Sequence, residues 1–219
     1  MFIGHYSAAL IAATHRDAPK LGVLFVAAQF VDIGFFGFVL FGIEAMRIVP
    51  GTTVMNPMDL YHMPYTHSLV GAFISAAGFA VLLKLFGAHW KTGLIGGLVV
   101  ISHWFLDLIV HAPDLTLAGT PPKLGFGLWN YPLIEMPLEI GLTVGALWLY
   151  LRANPPMGRS FAVPALILYL AAIQAYNWFA PPPTMLDASV PISALLAYGL
   201  AILLAVWVAR GRHYGGEIQ

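Results

Sequence analysis

Six stretches of the chain stay apolar for about a helix's worth of membrane: residues 21–46, 67–88, 92–112, 132–152, 160–180 and 188–209. Each can cross roughly 30 Å of hydrocarbon as an α-helix. A chain with six such runs cannot bury all of them in an ordinary soluble core, and its composition agrees. Of its 219 residues, 59% are hydrophobic and only 9% are charged, where a soluble domain is nearer half apolar and a quarter charged. That balance excludes a disordered chain, and the absence of cysteine excludes a disulfide-stapled secreted domain. Ten Lys and Arg offset ten Asp and Glu with no basic block, so nucleic acid is not an expected partner.

The expected fold is therefore all-α: a polytopic membrane protein with six transmembrane helices in a single domain, residues 1–219. Residues 2–13 are apolar but too few to span, and predict a short N-terminal half-spanning helix. No basic segment precedes them, so they do not read as a signal peptide. Pro50-Gly51, Asn56-Pro57, Pro121-Pro122, Pro155-Pro156 and Pro181-Pro182-Pro183 punctuate the connections. Alternating the spans places Arg16, Lys20, Lys84, Lys91, Arg152, Arg159, Arg210 and Arg212 on one side, against Arg47 and Lys123 on the other. The positive-inside rule makes the first side cytoplasmic. The expectation is an integral protein of a bacterial inner membrane, with its C-terminus cytoplasmic and loops 47–66, 113–131 and 181–187 facing outward.

Ionisable residues inside such spans are costly and mark function by default. In the third span, His103, Asp107 and His111 follow one another at i, i+4 and i+8 and share one helix face. Imidazole and carboxylate are ligands for zinc and similar divalent ions; a proton relay or a hydrogen-bonded packing seam would use the same types. His62 and His67 stand at the outer entrance of the second span, where Thr66 or Ser68 can serve as a helix cap. Asp32 lies in the otherwise apolar first span with nothing near it in sequence to neutralise it. His5 sits in the short N-terminal helix, and Glu135 and Glu139 share a face at the start of the fourth span. At about 1.5 Å of rise per residue, all of these can reach one layer in the outer half of the bilayer. The interiors of the fifth and sixth spans carry no Asp, Glu, Lys, Arg or His. A metal-site part (about residues 1–140) and a scaffold part (about 160–209) follow.

His62-x3-Thr66-His67-Ser68, followed by Ser102-His103-x3-Asp107, resembles the bacterial membrane-bound metal-dependent hydrolase family. In that resemblance His5 matches the family's N-terminal histidine and Asp32 its acidic motif. Met63-Pro64 replace the family's Arg-Gly, and Gly34 stands where it often has a second acid. The first change implies weaker phosphate binding or a substrate that is not a phosphoester, and the second fewer metals. The ligand order is also similar to that of zinc-dependent phospholipase C and its related single-strand nucleases.

These readings converge on a membrane-embedded, divalent-metal-dependent hydrolase acting on a lipid or amphiphile, with zinc the first candidate and one to three ions. His103, Asp107 and His67 lead the ligand set, Asp32, His5, His62 and His111 complete it, and Glu139 or an unligated Asp32 would act as general base. A proton or divalent-metal transporter, and an accessory subunit of a larger membrane complex, are the alternatives.

Overall fold

The computed structural model describes residues 1–213. The expected cytoplasmic C-terminal end, residues 214–219, lies outside the described residues. The chain is mostly helical. The short helix α1 (His5–Ala12) leads into α2 (Leu21–Ala28) and α3 (Phe30–Leu40), then a hairpin of β1 (Ala45–Ile48) and β2 (Met58–His62). α4 (Leu69–Leu85) and α5 (Trp90–Val110) follow, then a minimal hairpin of β3 (Leu115–Thr116) and β4 (Lys123–Leu124), a 3-10 turn at Leu128–Asn130, and the long helices α6 (Pro132–Ala153), α7 (Ala162–Phe179) and α8 (Ser189–Arg210).

Every apolar run is largely helical, the first of them ending in β1, but not all are straight spans. α5, α6, α7 and α8 are long and apolar enough to cross a membrane, and α4, at 17 residues, is shorter. The first run is two helices bent by 52° at Gln29; counted as one span, they make five. The expectation of six continuous spans is corrected to this extent. The purely α expectation is corrected too. Among the described residues, the connections after α3 and α5 hold two antiparallel two-stranded sheets, one closed by the Pro50-Gly51 turn, with Arg47 opposite Asp59 and bonded to it at 2.6 Å. Exposed apolar faces fit an integral membrane protein: Leu168 on α7 and Leu203 on α8 are 72% and 66% exposed among neighbours that offer them no cover.

α1 is the centre of the packing. Eight residues make about 12 Å of helix, and Tyr6, Ala9 and Leu10 are fully buried. Tyr6 stacks on Phe25 of α2 with ring centroids 4.2 Å apart. At its end, Asn154 after α6 donates from its side-chain amide to the Ala13 carbonyl at 3.1 Å, and Arg212 donates to the Asn154 carbonyl at 2.6 Å. The ends of α1, α6 and α8 are thus tied together with basic residues around them. α4 and α5 pack backbone to backbone. A Cβ on Gly93 would fall 2.7 Å from the Ala80 carbonyl oxygen, and one on Gly97 would fall 2.8 Å from that of Ala76. Small residues are what permit that approach, and it holds the first half of α5 against the middle and second half of α4.

Candidate metal centre

The site forms where α1, α3, α5 and the start of α4 meet. His103 and Asp107 lie one turn apart on the same face of α5, each 1% exposed. His111 caps the C-terminus of that helix and is also buried. Asp32 is in the first turn of α3, just past the break at Gln29. His67 immediately precedes α4, whose N-cap is Ser68; the Ser68 hydroxyl accepts from Gly71 N at 3.0 Å. Of the two capping options, the chain uses Ser68, and the cap fixes His67 beside α5. Trp104 helps by donating from Nε1 to the His67 carbonyl at 3.2 Å. His5 stacks on His103, ring planes 6° apart and centroids 3.7 Å apart.

The ring nitrogens and carboxylates converge. Asp107 Oδ2 lies 3.0 Å from His103 Nε2 and 3.7 Å from His67 Nε2. Asp32 Oδ1 lies 3.4 Å from each of the same two nitrogens. Asp107 Oδ1 lies 3.1 Å from His5 Nε2 and 3.3 Å from His111 Nε2, and accepts from the Met1 amino group at 3.2 Å. Two trios, His5–His103–Asp107 and Asp32–His67–His103, each have their ligand atoms within 4.8 Å of one another.

The outward nitrogens are already occupied. His103 Nδ1 meets the Ala28 carbonyl at 2.8 Å, where the helical ladder is interrupted at the break. His111 Nδ1 meets Asp114 Oδ1 at 2.8 Å, and His67 Nδ1 meets Thr66 Oγ1 at 2.9 Å. A carbonyl or ionised carboxylate oxygen can only accept, so His103 and His111 carry their proton on Nδ1 when neutral and turn a bare Nε2 inward. Outer-shell partners of this kind are how proteins orient metal-binding histidines. The inward contacts, by contrast, are close but are not all hydrogen bonds: His103 Nε2, Asp107 Oδ2 and both nitrogens of His5 are buried without a hydrogen-bond partner. Buried polar atoms are ordinarily satisfied, and this cluster of orphans is one that could hold a cation. Imidazole nitrogens and carboxylate oxygens suit zinc and similar divalent ions.

The other expected site residues fall elsewhere. His62 ends β2, exposed and paired across the hairpin with Ala45, so it does not join the cluster. The hairpin turns the chain so that only His67 of that motif points inward. Glu139 is buried, but its carboxylate is engaged. Oε1 accepts from Phe2 N at 2.6 Å and Gly4 N at 2.9 Å, and Oε2 accepts from Gln174 Nε2 at 2.7 Å. It clamps the segment before α1, and three of its roughly four acceptor sites are taken. Glu135, one turn earlier, is buried with Oε2 unpartnered.

Four supporting residues had no flag in the sequence. Tyr198 on α8 donates to Asp32 Oδ2 at 3.0 Å. Asp114 orients His111, and its spacing of three residues from a candidate ligand was the available signal. Gln174 holds Glu139 from α7, a helix whose sequence reads as plain scaffold. Glu44, buried between α3 and β1, accepts from Tyr65 N and Thr66 N, both at 2.9 Å, and from Thr66 Oγ1 at 2.6 Å. It sits at the end of an apolar run, where an acid reads as interfacial.

A groove of about 670 Å³ runs between α3 and α4, lined by Phe30, Ile33, Gly34, Phe38, Thr66 and Ile74 among others. Several of these flank Asp32 and His67 in sequence. No family model matches the chain, and no curated protein or solved structure matches it either.

Proposed function

We propose that the protein is a membrane-embedded, divalent-metal-dependent hydrolase acting on a lipid or other amphiphile. Asp32, His67, His103 and Asp107 would hold the ion, with His5 and His111 beside them on the second oxygen of Asp107. The observation that carries this reading is the set of buried, inward-facing nitrogens and oxygens that approach to 3.0–3.4 Å without all forming hydrogen bonds. A divalent ion bound there supplies Lewis-acid polarisation of the scissile group and a water acidified toward neutrality.

The chain's own residues have separable tasks. Ala28, Thr66 and Asp114 keep the three imidazoles turned inward through their Nδ1 atoms. Tyr198 holds Asp32 through Oδ2, leaving Oδ1 toward the cluster. The apolar groove beside α3 and α4 has the size of a ligand site, in the range of about 300–1,000 Å³, and suits a hydrocarbon tail. The excess of Lys and Arg at one end of the helices supports an inner-membrane protein with that end cytoplasmic and the site toward the outer face.

The test is elemental analysis of detergent-purified protein, followed by zinc-dependent hydrolysis of a panel of phosphoester and carboxylester amphiphiles. About one or more bound divalent ions per chain, and turnover lost on chelation, is the expected result. Protein that neither retains nor rebinds a divalent ion overturns the reading. Metal flux into proteoliposomes without hydrolysis would assign the same cluster to transport.

A further inference from the structure

Three of the four residues that carry the next step are consecutive or nearly so, and the fourth comes from a different connection. Glu44 lies between α3 and β1; Tyr65, Thr66 and His67 lie between β2 and α4. Glu44 is 1% exposed, Thr66 6% and His67 2%, so no solvent competes for their hydrogen bonds. We infer that Glu44 is a positioning residue that selects, through the Thr66 hydroxyl, which nitrogen of His67 carries the proton, leaving Nε2 bare toward the metal centre. The inference rests on the proposed metal reading only for its consequence, because the hydrogen-bond polarity exists with or without an ion.

The polarity follows from counting protons. Glu44 Oε1 accepts two backbone amides, from Tyr65 and Thr66, each at 2.9 Å. Glu44 Oε2 lies 2.6 Å from Thr66 Oγ1, the length of a charge-assisted O–H···O⁻ bond. A carboxylate holding three donors accepts and does not donate. Thr66 has one hydroxyl proton and spends it on Glu44. Toward His67 Nδ1, 2.9 Å away, Thr66 Oγ1 can then only accept. Neutral His67 must therefore carry its proton on Nδ1 and leave Nε2 bare. That Nε2 is the atom 3.4 Å from Asp32 Oδ1 and 3.7 Å from Asp107 Oδ2. The Ser68 cap and the Trp104 bond to the His67 carbonyl hold the backbone of this segment beside α5. His103 obtains the same tautomer from a backbone carbonyl, which no side-chain substitution can reverse. His67 obtains it from an acid two links away, which a substitution can.

The discriminating variant is Glu44→Gln. Its side-chain carbonyl can still accept the Tyr65 and Thr66 amides, but its NH₂ donates to Thr66 Oγ1. The hydroxyl proton is then free to turn toward His67 Nδ1, which favours the tautomer with Nε2 protonated. Two readouts follow. Long-range ¹H–¹⁵N correlation spectra of metal-free, ¹⁵N-histidine-labelled protein at mildly alkaline pH should show His67 protonated on Nδ1 in the parent and on Nε2 in Glu44→Gln. Zinc affinity should fall by roughly 10–100-fold in Glu44→Gln, the range for loss of an outer-shell partner. Thr66→Val should weaken zinc by a comparable factor, and Thr66→Ser should bind as the parent does. An Nε2-protonated His67 in the parent, or parent-like zinc affinity in both Glu44→Gln and Thr66→Val, overturns the inference. If Glu44→Gln does not fold, the Thr66→Val and Thr66→Ser pair decides it alone. Parent protein that binds no zinc but shows the expected tautomers sinks the metal reading and leaves the Glu44 assignment standing.

Discussion

Asp107 presents both of its oxygens to histidines from different parts of the chain: Oδ1 to His5 and His111, Oδ2 to His67 and His103. Removing this one side chain therefore removes more of the cluster's contacts than removing any single imidazole. Asp107→Ala and His103→Ala are each expected to abolish stoichiometric metal in elemental analysis, while His62→Ala, altering an exposed strand residue, should retain it. Tyr198→Phe deletes one buried hydrogen bond to Asp32, a loss of about 1–3 kcal/mol, and should weaken zinc without emptying the site; calorimetric titration of the variant reads this directly. The sequence made His5, Asp32, His67, His103, Asp107 and His111 legible because ionisable groups in apolar helices are conspicuous. It could not separate His62 from His67, since five residues of spacing do not reveal that a strand ends between them. Nor could it show that Glu139 would be consumed by the backbone of residues 2–4, a contact across 137 and 135 positions.

At the scale of elements, the close approaches matter more than the helix count. A Cβ on Gly71 would fall 1.7 Å from the Tyr65 carbonyl oxygen, so Gly71→Ala must push the start of α4 away from the loop that carries His67. Overpacking of this kind costs about 1–3 kcal/mol, and the variant should show a lowered thermal midpoint in detergent together with weakened zinc binding. Glu139→Ala separates stability from the site: it leaves the Phe2 and Gly4 amides without their acceptor, at about 1–3 kcal/mol for each buried group. Its thermal midpoint should drop, and the metal content of the folded fraction should persist. Hydropathy located α4 to α8 to within a few residues, since long apolar periodic segments are hard to mistake, but carried the first run to residue 46, past the end of α3 at Leu40 and into β1. The break at Gln29 escaped it because no proline or glycine marks the bend; tertiary contacts hold it, with Gln29 Nε2 donating to the Phe2 carbonyl at 3.3 Å. The β1–β2 hairpin escaped it because four- and five-residue strands leave too little periodicity to read.

For the molecule as a whole, sidedness is open to direct measurement, because the chain has no cysteine to remove first. Arg159→Cys, at the basic end, should react with a membrane-impermeant maleimide only after the cells are opened. Tyr61→Cys, on the opposite hairpin, should react in intact spheroplasts; the reverse pattern would invert the proposed orientation. That same arrangement gives the 52° bend a consequence beyond shape. A straight first span would put both poles of its helix dipole at the membrane surfaces, far from the two carboxylates. Broken at Gln29, α3 begins inside the protein, with Asp32 in its first turn. A helix start carries roughly half a positive charge. The same break ends α2 at Ala28, so the positive start of α3 lies at Asp32 while the negative end of α2 meets His103 Nδ1 through the Ala28 carbonyl, and the bend sets an opposite helix pole against each of two neighbouring polar side chains.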